Sequence, residues 1–156
     1  MLRDMTIKRM DNVLIVVEDM EAAKAFFTEL GMVFEGETTV EGAWADSVVG
    51  LKNMRADIVM MRTPDGHGRV ELSKFHRPKA VRAGAENPPS NTLGIRRIMF
   101  SVDDVDEVVD RLRKRHGAEL VGEIAQYEDA YRLCFIRGPE GVILGLAEDL
   151  RDKTRN

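Results

Sequence analysis

The sequence predicts an α+β protein made of two copies of one βαβββ unit. The first observation is an internal repeat, because the segment that starts at Asn12 aligns with the segment that starts at Arg97. The second copy has one extra residue before its glycine. The residues that align are Val17 with Val102, Asp19 with Asp104, Gly31 with Gly117, Gly36 with Gly122, and Glu37 with Glu123. The second observation is the order of patterns, since each copy runs from an apolar strand-length stretch through helical spacing to further strand-length stretches.

Each copy contains one helix whose two ends are marked in the sequence. Asp19 and Asp104 are predicted N-caps, because an aspartate side chain accepts a hydrogen bond from the first helical turn. Gly31 and Gly117 are predicted stops, since glycine adopts the left-handed conformation of a C-cap. Between these ends, apolar residues recur at helical spacing: Ala22, Ala23, Phe26, Phe27 and Leu30, then Val105, Val108, Val109 and Leu112. The basic residues near the second stop are expected to form a solvated face that complements the helix dipole.

The strands follow from short apolar runs and turn signals. "RADIVMMR" at 55–62 and "AYRLCFIR" at 130–137 each precede a Pro-acidic-Gly turn and another strand, "RVELSKF" or "VILGLAE". Residues 37–55 are less regular, and residues 76–94 are rich in Pro, Gly, Ala and Asn, which is typical of a connector. We therefore expect one domain at 1–156, with a first module at 8–75, a linker at 76–94 and a second module at 95–150.

Composition excludes several classes of protein. With 23 basic and 27 acidic residues the chain is slightly acidic, so it lacks the basic surface of a nucleic-acid-binding protein. The longest apolar runs, such as "VLIVV" from Val13, are far shorter than the ~20 residues of a membrane-spanning helix. The beginning of the sequence lacks the apolar stretch of a secretory signal, and the single Cys134 forms no internal disulfide. We expect a cytoplasmic protein without membrane or nucleic-acid partners.

Four segments resemble the vicinal oxygen chelate superfamily, which includes glyoxalase I, extradiol dioxygenases, epimerases, and the fosfomycin and bleomycin resistance proteins. They are "MDNVLIVVEDMEAAKAFFTELGM", "GRVELSKF", "GIRRIMFSVDDVDEVVDRL" and "IRGPEGVILGLAEDL", and they cover most of the chain in the family's order. The resemblance implies a glyoxalase/bleomycin resistance/dihydroxybiphenyl dioxygenase-like fold, in which two curved sheets form an open eight-stranded mixed-sheet cup around a ligand. It also implies a homodimer.

Enzymes of this superfamily place four metal ligands in the cup, one on the first and one on the last strand of each module. The resemblance carries these positions to Asn12, Glu71, Arg97 and Gly145, where the enzymes typically have His, Glu, His and Glu. This chain keeps only Glu71, since arginine offers no lone pair to a cation and glycine has no side chain. One carboxylate and one amide fall short of the ligand set of a catalytic transition metal, so no metal cofactor is expected.

Alternation along the strands separates inward from outward side chains. Arg97, Met99 and Ser101 share the face that is expected to point into the cup, and Arg96 lies on the other face, where its stem reaches water. Two hypotheses account for Arg97. It forms an internal ion pair with Glu71, or it binds an anionic or carbonyl-bearing ligand, for which Asn12 adds a hydrogen bond and Gly145 leaves room.

Further side chains complete the candidate ligand-binding set of Asn12, Trp44, Glu71, Arg97, Met99, Ser101 and Tyr131. Trp44 is either a lid of the cup or packs over a sheet edge, and Tyr131 either lines a pocket rim or is an ordinary strand aromatic. His67, His76 and His116 share no metal-binding spacing and are expected to be exposed to solvent. Cys134 is expected to be a small apolar filler rather than a nucleophile.

Three functions are consistent with these residues. The leading hypothesis is a protein that binds a small molecule in its cup without a catalytic metal, similar in design to the bleomycin-resistance-type binding proteins. The alternative is a glyoxalase-like or dioxygenase-like enzyme (a lyase, isomerase or dioxygenase), in which Glu71 is the general base and Arg97 polarises a carbonyl or stabilises an enolate. In the third, the cup is only a scaffold and the protein acts through its dimer surface.

Overall fold

The computed structural model describes residues 7–152, and the predicted domain at 1–156 extends beyond this range at both ends. The chain divides into two compact units, with the boundary between Ala80 and Val81. Each unit contains a four-stranded sheet of mixed direction and one long helix, so the prediction of an α+β protein with two βαβββ modules is confirmed. No helix among residues 7–152 is long and apolar enough to cross a membrane.

The elements of the first module are β1 (Val13–Val16), α1 (Met20–Leu30), β2 (Val33–Glu41), α2 (Ala43–Val49), β3 (Arg55–Arg62) and β4 (Arg69–Arg77). Those of the second are β5 (Arg97–Ser101), α3 (Val105–His116), β6 (Ala125–Tyr127), β7 (Tyr131–Arg137) and β8 (Ile143–Asp149), with a 3₁₀ turn at Pro139–Gly141. Helix α2 lies in the segment expected to be less regular. With seven residues, of which only Ala45 is buried, it is too short to show a helical apolar pattern.

The two long helices, α1 and α3, begin and end where the sequence predicts. The Asp19 carboxylate accepts a hydrogen bond from the amide of Ala22 at 3.0 Å, and the Asp104 carboxylate accepts one from Glu107 at 3.1 Å. The glycines that follow, Gly31 and Gly117, both have positive φ, of 118° and 64°. The two copies of the repeat therefore share their helix caps as well as their strand order.

The two sheets also share one topology and one register. Their strand orders are β1-β4-β3-β2 and β5-β8-β7-β6, with the first pair of each sheet parallel and the others antiparallel. A row of directly opposed residues therefore crosses three strands at the same place in both sheets: Leu14, Glu71 and Met60 in the first, and Met99, Gly145 and Phe135 in the second.

Each sheet packs one face against the long helix of its module and thereby forms the core. The largest fully buried side chains include Phe27, Met61 and Leu72 in the first module, and Leu112, Ile136, Leu144 and Leu146 in the second. We call the other face of each sheet, turned away from α1 or α3, the open face of that module. Because side chains alternate along a strand, residues next to these core positions lie on the open faces.

Candidate functional site

Arg97 lies on the open face of the second module and is exposed. Its guanidinium carbon is 4.3 Å from the centre of the Phe135 ring, two strands away across the sheet. The Arg97 Cδ passes 3.4 Å from the point where a Cβ on Gly145 would lie. The side chain therefore runs from β5 over β8 to β7, along a path that the missing side chain of Gly145 leaves clear.

The space above Gly145 is occupied by Met99. A Cβ built on Gly145 would lie 2.0 Å from the Met99 Sδ and 2.9 Å from its Cε, far inside van der Waals contact. Gly145 is itself buried, between strands β5 and β7. Only a glycine fits at this position without movement of Met99, because the methionine fills the place where a side chain would begin.

Both arginines among the strand positions of this face lie at one end, which is the end that carries Arg97. Arg137 lies in the same row, and its guanidinium donates a hydrogen bond to the Gly141 carbonyl at 3.0 Å. Within the described residues of the second module, from 81 to 152, Arg97 makes no hydrogen bond or ion pair. The one acidic residue among the strand positions of this face, Asp149, lies at the other end and pairs with Arg151 at 3.1 Å. The Arg97 end is therefore positively charged and offers unused donors.

Tyr131 lies at the end of the open face opposite Arg97, because it pairs with Asp149 at the end of β8 while Arg97 pairs with Ile143 at its beginning. Arg151 lies over the Tyr131 ring, 4.7 Å from its centre, and an Arg151 nitrogen is 2.5 Å from the hydroxyl. The hydrogen bonds that Arg151 donates to the Asp149 carboxylate raise the pKa of Arg151. Sequence reasoning missed this contact, since Arg151 follows the last strand and carries no motif.

Glu71 lies at the centre of the open face of the first module. Its directly opposed neighbours are Leu14 and Met60, and its own side chain is half-buried. Among residues 7–80, Glu71 makes no hydrogen bond or ion pair. A carboxylate between two apolar side chains and without a partner in its own module is available to accept a proton or a hydrogen bond.

Helix α2 covers one end of this first open face. Its Ala45 packs in a buried cluster with Met54 and Ala56, and Phe75 lies against that cluster. The Asp46 carboxylate accepts hydrogen bonds from two backbone amides of the following loop, both at 2.9 Å, which fixes the helix to the start of β3. Trp44 points away and is 75% exposed, so packing over the sheet edge is not observed within the described residues.

The remaining candidates lie at the ends of the edge strands. Asn12 is half-buried and immediately precedes β1. It lies two residues before Leu14, just as Arg97 lies two residues before Met99 in the second module. Ser101 ends β5 on the open face and is exposed. Their backbone positions agree with the internal repeat, and their role in binding stays a prediction.

Cys134 lies on the helix-facing side of β7 and is 3% exposed. Burial raises the pKa of its thiol to about 11, and the nearby Asp106 carboxylate acts in the same direction. The thiol is therefore protonated near neutral pH, as expected of an apolar filler rather than a nucleophile.

His76 has a partner that sequence reasoning did not find. Its Nε2 is 2.8 Å from a carboxylate oxygen of Asp57, and the Thr39 hydroxyl donates to the other oxygen at 2.9 Å. The hydrogen bond from His76 holds the pKa of Asp57 below its usual value, with a smaller effect from Thr39. The pair joins β3 to β4, and 19 residues separate its members in the sequence, so no local pattern marks it.

These residues do not fit the metal that the fold family implies. In the second module the two ligand positions hold a guanidinium stacked on an aromatic ring and a glycine whose side-chain space is filled by Met99. In the first module they hold one amide and one carboxylate. Across residues 7–152, no group of three or more His, Cys, Asp or Glu side chains is arranged to bind a metal ion. The side chains at these four positions are therefore not the ligand set of a catalytic transition metal.

The chain belongs to the glyoxalase/bleomycin resistance protein/dioxygenase superfamily, whose family model matches residues 9–146. It is similar to a glyoxalase family protein from Bacillus cereus, with 54% identity and a TM-score of 0.87 over 93% of this chain and 96% of that one. The trypanothione-dependent glyoxalase I of Leishmania major shares the fold at 18% identity and a TM-score of 0.64, over 95% and 91% of the two chains.

A genomically encoded fosfomycin resistance protein from Listeria monocytogenes shares the fold as well, at 14% identity and a TM-score of 0.56, over 92% and 95% of the two chains. A comparison with curated proteins gave no match. The family resemblance drawn from the sequence is therefore confirmed, while the small-molecule ligand, the homodimer and the cytoplasmic location stay predictions.

Proposed function

We propose that this protein binds a small anionic or carbonyl-bearing molecule without a catalytic metal. The observation that carries the proposal is the exposed guanidinium of Arg97, which replaces a metal ligand of the family and has no acceptor among residues 81–152. A guanidinium repels cations and forms strong charge-assisted hydrogen bonds with anions. The same position that binds a metal in relatives therefore selects a ligand of opposite charge in this chain.

The surroundings of Arg97 favour binding of a small molecule with an apolar part. Met99 is 48% exposed and Phe135 is half-buried, so both present apolar surface beside the positive charge. Small-molecule sites typically combine such surface with a few polar groups that fix the orientation of the ligand. The alternative predicted from the sequence, an ion pair between Arg97 and Glu71, stays a prediction.

A metal titration tests the absence of a catalytic ion. We expect calorimetry with nickel, zinc, manganese and iron(II) to show no stoichiometric binding to the purified, metal-stripped protein. Tight binding of one equivalent of any of these ions would contradict the proposal.

A ligand screen tests the role of Arg97. Small anions and carbonyl compounds are screened by their effect on the melting temperature, and binding by the hits is expected to fall at least tenfold in Arg97→Met. Arg113→Met is the matched control, since it removes the same charge from an exposed position on α3, on the other side of the sheet. Equal losses in both variants would show that only net charge matters.

A second function, proton transfer beside a carbonyl group, is favoured by one observation on the first module. Glu71 is a half-buried carboxylate without a partner among residues 7–80, as a general base requires. NMR of 2-oxo acids in D₂O measures this activity as exchange of the protons next to the carbonyl. Exchange that disappears in both Glu71→Gln and Arg97→Met would identify an enzyme, whereas ligand binding without exchange would identify a binding protein.

A further inference from the structure

We propose that the open face of the second module recognises a carboxylate, and that Phe135 and Gly145 are the residues that position Arg97 for it. This inference rests on the proposed function and names the chemical class of its ligand. No sequence pattern marks Phe135 as a site residue, and Gly145 is predicted from the sequence only to leave room for the ligand. Both act through Arg97, and the structure shows how.

Gly145 provides the path for the arginine side chain. The Arg97 Cδ lies 3.4 Å from the position of an added Cβ, and Met99 lies closer still. A Cβ at this position would displace the methionine, and a side chain that extends beyond the Cβ would block the passage of the arginine over β8. The glycine therefore permits a side chain from the edge strand to reach the third strand of the sheet.

Phe135 holds the guanidinium at the end of this path. At 4.3 Å from the ring centre, the guanidinium carbon is in contact with the ring, where cation–π attraction restrains an otherwise flexible side chain. The aromatic ring covers one side of the guanidinium and accepts none of its hydrogen bonds in the plane of the group. The N–H donors therefore remain available in a restrained orientation, which lowers the entropy lost when a ligand binds.

The number and kind of donors favour a carboxylate over a phosphate. A guanidinium presents parallel N–H pairs that match the two oxygens of a carboxylate. Phosphate sites usually add backbone amides at a helix N-terminus or in a loop, and here the backbone amides of the face belong to paired strands. Arg137, the other arginine of this row, donates to the carbonyl of Gly141. One available guanidinium suits one negative charge, and Met99 and Phe135 suit an apolar substituent.

The test uses the full chain labelled with ¹⁵N, and three carboxylates as probes: benzoate, pyruvate and hexanoate, each beside its methyl ester. Inorganic phosphate is the tetrahedral anion for comparison. The Nε–H signal of Arg97, identified by its loss in Arg97→Lys, reports binding at this side chain. We expect at least one carboxylate to shift that signal and to bind at least tenfold more tightly than its ester and than phosphate.

Variants separate positioning from charge. Arg97→Lys keeps the charge without the paired donors and is expected to weaken carboxylate binding about tenfold. Phe135→Leu keeps apolar bulk without a ring and is expected to weaken it about fivefold, while Phe135→Tyr restores it. Phe34→Leu is the matched control, because it removes the ring beneath Lys24, 5.2 Å away, in the other module. Dispersion of the amide spectrum shows that each variant is folded.

The outcomes distinguish this inference from the proposed function. Carboxylate binding that is unchanged in Phe135→Leu would overturn the positioning role, and an ester or phosphate that binds as tightly would overturn the ligand class. Both results leave metal-independent binding intact. The proposed function would instead be contradicted by the metal titration, if the protein bound one equivalent of a metal ion tightly.

Discussion

In the first module Glu71 lies between Leu14 and Met60 on neighbouring strands, and in the second Gly145 lies at the same place between Met99 and Phe135. The backbone register is the same, but the first module carries its charge on the central strand as a carboxylate. The second carries its charge on the edge strand, as an arginine that reaches over β8 past Gly145, where Met99 fills the side-chain space. Both open faces also carry other charged side chains, such as Arg69 and Asp149, but around this row the two copies present charges of opposite sign.

The difference shows which residues of the repeat are constrained by folding. The helix caps and the parallel strand pair are kept in both copies, and so are the apolar residues that face the helix, such as Leu72 and Leu146. Exposed side chains of the open faces, such as Leu14 and Met99, do not contribute to these cores, so they can vary without loss of the fold. The open faces are therefore the part of the repeat in which the two copies differ in chemistry while the scaffold stays the same.

The largest expected effect tests that separation of core from face. Leu72 and Leu146 occupy equivalent positions and are both fully buried, so we expect each substitution by alanine to lower the free energy of unfolding by about 3 kcal/mol. Leu14→Ala, on the open face at 47% exposure, is expected to cost less than about 1 kcal/mol. Urea unfolding followed by circular dichroism measures all three. A loss for Leu14→Ala as large as for the core variants would show that the open face belongs to the core.

A second experiment removes the difference between the faces by installing the family's glutamate. In Gly145→Glu the new side chain displaces Met99 and blocks the path of Arg97, so we expect carboxylate binding to fall at least tenfold. Stability is expected to fall by only about 1 kcal/mol, because the displaced methionine is flexible.

The same variant also tests the metal position. We expect no metal binding by Gly145→Glu, since Arg97 still occupies the neighbouring ligand position, and calorimetry with zinc and nickel checks this. Ala147→Glu is the control, because it adds the same carboxylate to the open face two residues further along β8, away from the path of Arg97. Retained carboxylate binding in Gly145→Glu would contradict the path assigned to Arg97.

A third prediction concerns two residues that face the helix of their module at equivalent positions, Val59 in the first and Cys134 in the second. Burial raises the pKa of the Cys134 thiol from 9.0 to about 11, so the folded state favours the protonated form. Stability from this group is complete below about pH 9 and is lost as the pH rises toward 11. Relative to Cys134→Val, which copies the first module, the wild type should lose about 2 kcal/mol between pH 8 and pH 10.5.

Urea titrations of both proteins at the two pH values measure this difference. The valine variant is the control for the general effect of alkaline pH, because it differs only in the group that titrates. Parallel pH dependence of the two proteins would show that the thiolate is tolerated at this position.

The sequence predicts the framework of this protein better than its contacts. Repeat alignment, aspartate caps and stop glycines are local features that locate α1 and α3, and apolar runs locate β1, β3, β4, β5, β7 and β8. Strand β2, which is mostly exposed, extends into the segment expected to be less regular and is missed. Helix α2 is missed because seven residues with one buried side chain give no periodic signal. Alternation places Arg97 and Gly145 on one face, but it does not predict that Arg97 crosses to Phe135 or that Met99 fills the space above the glycine. These contacts depend on strand pairing at long sequence separation, which local patterns do not contain.

The smallest expected effect concerns the surface pairs at another set of equivalent positions, Asp57 and Arg132. Asp57 pairs with His76 on the next strand, whereas Arg132 donates two hydrogen bonds to Asp106 of α3, at 2.7 and 2.8 Å. These hydrogen bonds lower the pKa values of both carboxyl groups, so each pair stabilises the fold above about pH 4 and less as the pH falls.

Because both carboxylates are exposed to solvent and screened, we expect Asp57→Asn and Asp106→Asn each to cost less than about 1 kcal/mol at pH 6. The cost should shrink further at pH 3, because this pH lies below the usual pKa of an aspartate in the unfolded chain, so part of the stabilisation from the lowered pKa is lost. Thermal unfolding at pH 6 and pH 3, with and without 0.5 M sodium chloride, measures these differences. A cost that persists unchanged at pH 3 would show that the asparagine variants lose packing or hydrogen bonds rather than charge.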